Sequence, residues 1–138
     1  MNLTTQTTFQ PSHDETTGRS KVSDNSLTAT KSFCVQRFSG EIDMQTAPDF
    51  AAALDRVLTQ GPECVVLDLS GVGFVGASGL SILARFASDA AAQHMPVAVV
   101  CRRSVARPIE ACQLDEMVSL HTSVDEAGSA LAGHRLAS

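Results

Sequence analysis

The stretch Val65–Leu80 constrains the fold of this chain more than any other part of the sequence. It opens with an unbroken apolar run, Val65–Leu67, followed by Asp68 and Leu69. The run is too short to span a bilayer and too continuous for a strand that has one face in water. It therefore predicts a strand that is covered on both faces, as in parallel or mixed sheets.

A strand-to-helix junction is predicted directly after this strand. Ser70-Gly71 is typical of a turn, and Phe74 is predicted to return to the core. The small residues Gly76–Gly79 then precede an amphipathic helix predicted over Leu80–Gln93. Ser78 is expected to cap this helix, at a point where free backbone N–H groups and the positive end of the helix dipole face outward.

The rest of the chain alternates predicted strands and helices. The predicted strands are Leu27–Lys31, Phe33–Phe38, Val65–Leu69, Val97–Cys101 and Met117–His121, and the helices follow Thr46, Ser78, Ser104 and Ser123. This alternation predicts an α/β domain with a central mixed β-sheet of about four to five strands covered by about four α-helices. We expect the domain over residues 27–133, a disordered Ser/Thr-rich tail over 1–26 and a frayed C-terminus over 134–138.

Composition and charge exclude several classes of partner and ligand. The chain has 138 residues, a hydrophobic fraction of 43% and a net charge of −5, with 10 basic and 15 acidic residues. Because there is no basic run, direct nucleic-acid binding is not expected. Because there is no apolar segment of bilayer length and no signal-peptide core, we expect a cytoplasmic protein that does not enter a membrane. The histidines and cysteines show no metal-ligand spacing, so no metal and no cofactor are expected.

The central motif resembles a known family signature. Asp68–Leu80 reads D-L-S-G-V-G-F-V-G-A-S-G-L, which is similar to the pattern D-L-S-x-V-x-F-x-D-S-S-G-L of STAS domains in the anti-anti-sigma factor family. Ser39–Asp43, followed by Thr46-Ala47, resembles the S-G-E-L-D loop before the family's first helix, and the surroundings of Ala127 resemble its closing helix. The resemblance covers roughly Leu27–Ala132 and implies a STAS-like fold.

The resemblance also implies a mechanism. An unphosphorylated member of the family binds an anti-sigma factor that is also a serine kinase, which frees a sigma factor for transcription. The kinase phosphorylates one serine at the start of the second helix, and the complex then separates. That serine matches Ser78, and the partner-binding residues implied in this sequence are Asp43, Gly76, Ala77, Ser78, Gly79 and Ser81. Gly76 and Ala77 depart from the family's Asp and its Ser or Thr, which removes a charge beside the phosphate acceptor.

This mechanism makes the protein a switch and a kinase substrate, not an enzyme, and two other kinds of chemistry fit the residues less well. Gly76–Leu80 resembles the hydrolase nucleophile elbow G-x-S-x-G but lacks its final glycine, and the candidate base His121 has no evident acid partner. Asp68 follows an apolar strand, as the phosphate acceptor of a receiver domain does, but the further carboxylates that hold Mg²⁺ are missing. A hydrogen bond that orders the turn is the other interpretation of Asp68.

The alternative function is a STAS scaffold or sensor regulated by redox chemistry or by a ligand. Cys64, Cys101 and Cys112 are the candidate redox residues, because Cys64 precedes the central strand and the other two flank the short helix predicted after Ser104. A disulfide there requires Cα atoms within about 7 Å of each other. For either function we expect a monomer or a weak dimer.

Overall fold

The computed structural model describes residues 3–11 and 32–137 and has an α/β fold. The strands are β1 (Thr4–Pro11), β2 (Ser32–Ile42), β3 (Val65–Val75), β4 (Val97–Val100) and β5 (Ser119–His121). The helices are α1 (Ala47–Gln60), α2 (Ala77–Ala92), α3 (Arg103–Ala111) and α4 (Val124–Ala137). The strands form one sheet in the order β1-β2-β3-β4-β5, in which only the β1–β2 pair is antiparallel. The predicted fold class, a mixed sheet covered by about four helices, is confirmed.

Helices cover both faces of the sheet. α1, α2 and α3 contribute Phe50, Leu83 and Ile109 to the larger core on one face. α4 contributes Ala127 and Leu131 to a smaller core on the other face. The first five residues of β3 are therefore buried on both sides, as the unbroken apolar run predicts.

β1 corrects the prediction of a disordered tail. Thr4–Pro11 pairs in register with β2, and Leu3 beside it is buried. The Thr7 hydroxyl donates a 2.6 Å hydrogen bond to Oε1 of the buried Gln36. An edge strand needs few apolar residues because its neighbour supplies the backbone partners, and β-branched threonine favours the extended backbone. The predicted strand Leu27–Lys31 and the rest of the predicted tail lie outside the described residues.

β2 and β3 are longer than predicted, because their Ser-Gly pairs lie inside strands and not in turns. The pairing continues past register shifts at Arg37/Ser39 and Gly40/Glu41. Gly40 has φ +114°, a value that glycine tolerates at a bulge. A Cβ atom on Gly71 would lie 2.9 Å from the Cβ of Ser39, so this glycine lets the two backbones approach closely. The extensions carry both strands to Ile42 and Val75, beside the start of α2.

α1 follows the predicted pattern with one change at its start. It begins after Thr46 and ends where Gly61 adopts a left-handed φ of 60°, as the predicted Gly-Pro stop requires. The Thr46 hydroxyl does not cap the helix. It donates instead to the backbone oxygen of Glu41 at 2.7 Å and so closes the loop between β2 and α1.

The elements of the C-terminal part are those predicted, and several of their ends differ from the prediction by a few residues. β5 is shorter than predicted because Leu114–Glu116 forms a 3₁₀ turn ahead of it. Ser123 caps α4 as predicted, since the Glu126 N–H donates to its Oγ at 3.1 Å. The backbone of α4 extends to Ala137, and Gly133 within it weakens a helix without ending it. Fraying from residue 134 stays a prediction. No helix within the described ranges is long and apolar enough to cross a membrane.

Candidate functional site

Ser78 lies in the first turn of α2 and does not cap it. The N-cap is Gly76, and α2 begins at Ala77, so the predicted start at Leu80 is too late. The Gly76 N–H donates a 2.8 Å hydrogen bond to the backbone oxygen of Ile42 at the end of β2. Ser78 is thus the second helical residue, half-buried and held at the carboxyl ends of two parallel strands.

The N-terminus of α2 has free hydrogen-bond donors and no compensating acid. The first bond within the helix runs from the Leu80 N–H to the Gly76 oxygen at 3.0 Å. The N–H groups of Ala77, Ser78 and Gly79 therefore have no acceptor inside the helix. The first turn contains no acidic residue, so the positive end of the helix dipole is not offset by a side chain of its own helix.

Gly79 fixes how closely α2 approaches the sheet. A Cβ atom at this position would lie 2.5 Å from Cγ2 of Ile42 and 2.9 Å from Cγ1 of Val75. Gly79 is buried, in contrast to Ala77 and Ser81. Gly79, one of the predicted partner-binding residues, therefore packs α2 against the sheet. Ala77 and Ser81, two others of that set, are exposed.

Phe74 does not return to the core as predicted. Its side chain is 51% exposed, whereas Val72 and Val75 on either side are buried. The strand places Val72 and Val75 inward and leaves Phe74 on the outer surface beside Gly76. A Cβ atom on Gly76 would lie 3.3 Å from Cε2 of Phe74. Gly76 has an extended backbone, with φ −87°, so the absence of a side chain leaves room for the ring and is not required by the backbone.

Asp43 orders the loop that faces the start of α2. Its Oδ1 accepts hydrogen bonds from the backbone N–H groups of Gln45 at 3.0 Å and Thr46 at 3.1 Å. These bonds, led by the one from Thr46, hold the pKa of the Asp43 carboxyl below its usual value. The next residue, Met44, is 80% exposed. Because Asp43 follows Ile42, which bonds to Gly76, this loop and the start of α2 lie side by side.

These residues form one surface, which we call the Ser78 surface: Asp43, Met44, Phe74, Gly76, Ala77, Ser78 and Ser81. Two of its members, Met44 and Phe74, were not predicted from the sequence. Their exposure could have been predicted from their neighbours in the sequence, because both lie beside loop residues or glycines, where few core residues are available to bury a large apolar side chain. The surface combines exposed apolar side chains with a serine hydroxyl at a helix N-terminus, an arrangement suited to binding another protein.

Residues 26–127 match the sequence pattern of the STAS domain family. This chain belongs to the STAS domain family. The anti-sigma-F factor antagonist RsfB of Mycobacterium tuberculosis is 37% identical over 103 residues, which are 74% of this chain and 84% of RsfB. An anti-sigma factor antagonist from Mycobacterium paratuberculosis, whose crystal structure is known, is 31% identical in sequence to this chain. The two structures have a TM-score of 0.68, and the match covers 92% of this chain and 93% of that one.

A more distant structure shares the STAS fold. SpoIIAA, an anti-sigma factor antagonist in its unphosphorylated form, is 15% identical and has a TM-score of 0.60 over 78% of this chain and 94% of SpoIIAA. The STAS-like architecture implied by Asp68–Leu80 is therefore confirmed. All three of these relatives are named as anti-sigma factor antagonists.

Asp68 of the STAS motif has a structural role. It is buried, and its Oδ1 accepts bonds from the Ser70 N–H at 3.0 Å and the Ser70 hydroxyl at 2.6 Å. Its Oδ2 lies 3.2 Å from Nε of Arg37 on β2. The carboxylate thus ties the bulged part of β3 to its neighbour, in line with the hydrogen-bond interpretation. Within residues 3–11 and 32–137 no group of three or more His, Cys, Asp or Glu side chains could hold a metal ion.

The structure does not bring together Ser78 and His121, the nucleophile and base of the hydrolase alternative. Ser78 follows β3 and His121 ends β5, with β4 between those strands. His121 does have an acidic neighbour, contrary to prediction, since its Nδ1 lies 3.7 Å from Oε1 of Glu126. Its Nε2 lies 2.9 Å from the Ser119 hydroxyl. The imidazole is engaged at the sheet edge, away from the Ser78 surface.

The candidate redox cysteines are held apart by the fold. Cys101 precedes α3 and Cys112 follows it, and a helix of 9 residues separates its ends by roughly 14 Å. Cys64 lies in the core under α4, on the opposite face of the sheet from α3. Disulfides require Cα atoms within about 7 Å, so no pair of these three can bridge while α3 is folded. Burial, with Glu110 nearby, also raises the pKa of the Cys101 thiol to about 11, which disfavours the reactive thiolate.

Proposed function

We propose that this STAS protein is an anti-sigma factor antagonist that binds an anti-sigma factor through the Ser78 surface, and that a serine kinase ends the complex by phosphorylating Ser78. The observation that carries the proposal is the half-buried Ser78 in the first turn of α2, with the exposed Met44 and Phe74 on the two segments that adjoin Gly76 at the start of this helix. The relatives named as anti-sigma factor antagonists support the class of partner.

Apolar contact supplies the affinity in this mechanism. Met44 and Phe74 are two of the three large apolar side chains that are strongly exposed in the described part of the chain, and both belong to the Ser78 surface. Aromatic and methionine side chains are enriched in the centres of protein interfaces. The unphosphorylated serine presents only a neutral hydroxyl, which an apolar partner surface accommodates at small cost.

Phosphorylation changes the charge of the surface without disturbing the fold. A phosphate on Ser78 carries about −1.5 to −2 charge and lies beside the unbonded N–H groups of the first turn, which stabilise an anion. The same charge would be desolvated in the complex, where an unpaired buried charge costs several kcal/mol. The phosphoprotein therefore remains folded and dissociates.

The departure at Gly76 is compatible with this mechanism. Where the family pattern has Asp, the glycine of this chain leaves room for the Phe74 ring, whose Cε2 would lie 3.3 Å from a Cβ atom on Gly76. The ring adds apolar area to the binding surface, and the acid that would repel a phosphate is absent. The protein acts as a binding partner and kinase substrate in the cytoplasm, where sigma factors work, as a monomer or a weak dimer.

The test begins with capture of partners from the native cytoplasm on the immobilised full chain and their identification by mass spectrometry. An anti-sigma factor is the expected result. Its affinity is then measured by titration calorimetry for the wild type, Ser78→Ala and Ser78→Glu, with Ser88→Glu as the matched control because Ser88 is exposed farther along α2. Only Ser78→Glu should bind weakly. Equal affinities for all four proteins would refute the switch.

A further inference from the structure

A second candidate site lies at the far side of the carboxyl edge of the sheet. The chain leaves β4 into α3, which packs on one face through Val105 and Ile109, and it leaves β5 into α4, which packs on the other face through Ala127 and Leu131. Because α3 and α4 leave neighbouring strands toward opposite faces of the sheet, the two helices diverge beyond the strand ends. A cleft of ≈ 420 Å³ occupies this position.

This cleft, which we call the α3–α4 cleft, carries unpaired charges of both signs on one wall. Arg103, Arg107 and Glu110 of α3 line it, and among the described residues none of the three forms an ion pair. Glu126 of α4 lines the opposite side, where its Oε1 already accepts the Thr122 N–H at 2.9 Å. Of the two acids that line the cleft, Glu110 is the one whose carboxylate has no hydrogen bond or ion pair among the described residues.

The cleft also has an apolar floor. Leu120 and Ala106 are half-buried, Cys101 is buried, and all three line it. The volume is at the lower end of the range for small-molecule sites, about 300–1,000 Å³. A small ligand with a short apolar part and charged groups of both signs matches this lining.

We propose that the α3–α4 cleft binds a small zwitterion of the α-amino acid class. Arg103 and Arg107 are one helical turn apart, and guanidinium groups recognise carboxylates through paired N–H donors. Glu110, less than one turn farther on, receives the ammonium group. The side chain of the ligand lies on Ala106 and Leu120. This site is separate from the Ser78 surface, and its existence does not depend on the proposed antagonist function.

The experiment is a titration of the ¹⁵N-labelled full chain, followed by amide chemical shifts. The protein amino acids are added singly, with acetate as a carboxylate-only probe and methylammonium as an ammonium-only probe. One or more amino acids should give saturable shifts confined to residues 101–110 and 119–126, at a concentration about tenfold or more below that needed for either probe. Absence of saturable shifts, or acetate binding as tightly as every amino acid, would overturn the proposal.

Variants test the assigned contacts. Arg103→Gln combined with Arg107→Gln should weaken binding of the best amino acid by about tenfold or more, and Glu110→Gln should do the same while leaving acetate binding unchanged. Arg85→Gln, exposed on α2, is the matched control and should bind as the wild type does. The same spectra show that each variant is folded. Unchanged affinity in the Arg103/Arg107 double variant would contradict the assignment even if an amino acid binds.

Discussion

The backbone N–H of Gly76 donates a 2.8 Å hydrogen bond to the carbonyl oxygen of Ile42 and so joins the start of α2 to the end of β2. Through this bond, the loop that carries Asp43 and Met44 and the helix that carries Ser78 meet at one edge of the sheet. Parallel pairing of β2 with β3 places both exits there. The Ser78 surface therefore combines residues that are far apart in the sequence at the carboxyl ends of two paired strands.

Ser78→Ala should leave stability within about 0.5 kcal/mol of the wild type, because Gly76 and not Ser78 caps α2. Ser123→Ala is the matched comparison. Its Oγ accepts the Glu126 N–H at 3.1 Å, so this variant should lose about 1 kcal/mol. Urea unfolding of the three proteins measures both values. An equal loss in the two variants would show that Ser78 stabilises the helix end after all.

Gly79→Ala should be strongly destabilising, by about 1–3 kcal/mol, because the added methyl group would overlap Ile42 and Val75. Gly73→Ala is the control, since a Cβ atom at Gly73 meets no atom within 4 Å. Its stability should change by about 0.5 kcal/mol or less. The urea unfolding midpoints of the wild type and the two variants at neutral pH measure these changes. A Gly79→Ala variant as stable as Gly73→Ala would contradict the close packing of α2.

Phe74→Ala should weaken binding of the anti-sigma factor by about tenfold or more, because the ring is an exposed apolar anchor of the Ser78 surface. Met117→Ala is the matched control: Met117 is 45% exposed but lies near the amino end of β5, away from this surface. Calorimetric titration against the captured partner should show the difference. Equal affinities for the two variants would remove Phe74 from the interface.

The Asp43 carboxylate should make the free energy of unfolding depend on pH in the acid range. Hydrogen bonds from Thr46 and Gln45 lower the pKa of this carboxyl in the folded protein. The carboxylate therefore stabilises the fold above its unfolded pKa of about 3.9 and loses that effect as the pH falls through the lower folded pKa. Asp43→Asn should be less stable than the wild type at pH 7, and the gap should close in strong acid. Urea unfolding across acid pH, with Asp55→Asn as a control, measures it; a constant gap would contradict the assignment.

Several features could be predicted from the sequence because local physics decides them. The run Val65–Leu67 contains no polar residue that could face solvent, so it predicts a central strand buried on both faces. The helical spacing of apolar residues after Thr46, with Gly61 as the stop, predicts α1 almost to the residue. The serine at position 78 is placed at a strand-to-helix junction by the small residues around it, and the motif there identifies the STAS family.

Other features depend on which segments meet in space. Thr4–Pro11 lacks an apolar pattern and becomes a strand only because the edge of β2 supplies its hydrogen bonds. The cap of α2 falls on Gly76 because Ile42, on another strand, offers the acceptor for its N–H. Phe74 is turned outward because Val72 and Val75 take the inward positions of a strand that runs beyond its predicted end.

The sequence by itself determined the α/β class, the central strand and the position of Ser78, because the apolar patterns and backbone preferences of successive segments decide each of them. The tertiary structure alone decided the composition of the Ser78 surface and the placement of Cys64 and Cys101 on opposite faces of the sheet. It also opened the α3–α4 cleft by sending α3 and α4 to opposite faces of the sheet. These features arise from parallel strand pairing and helix packing, which bring distant residues together and keep near ones apart.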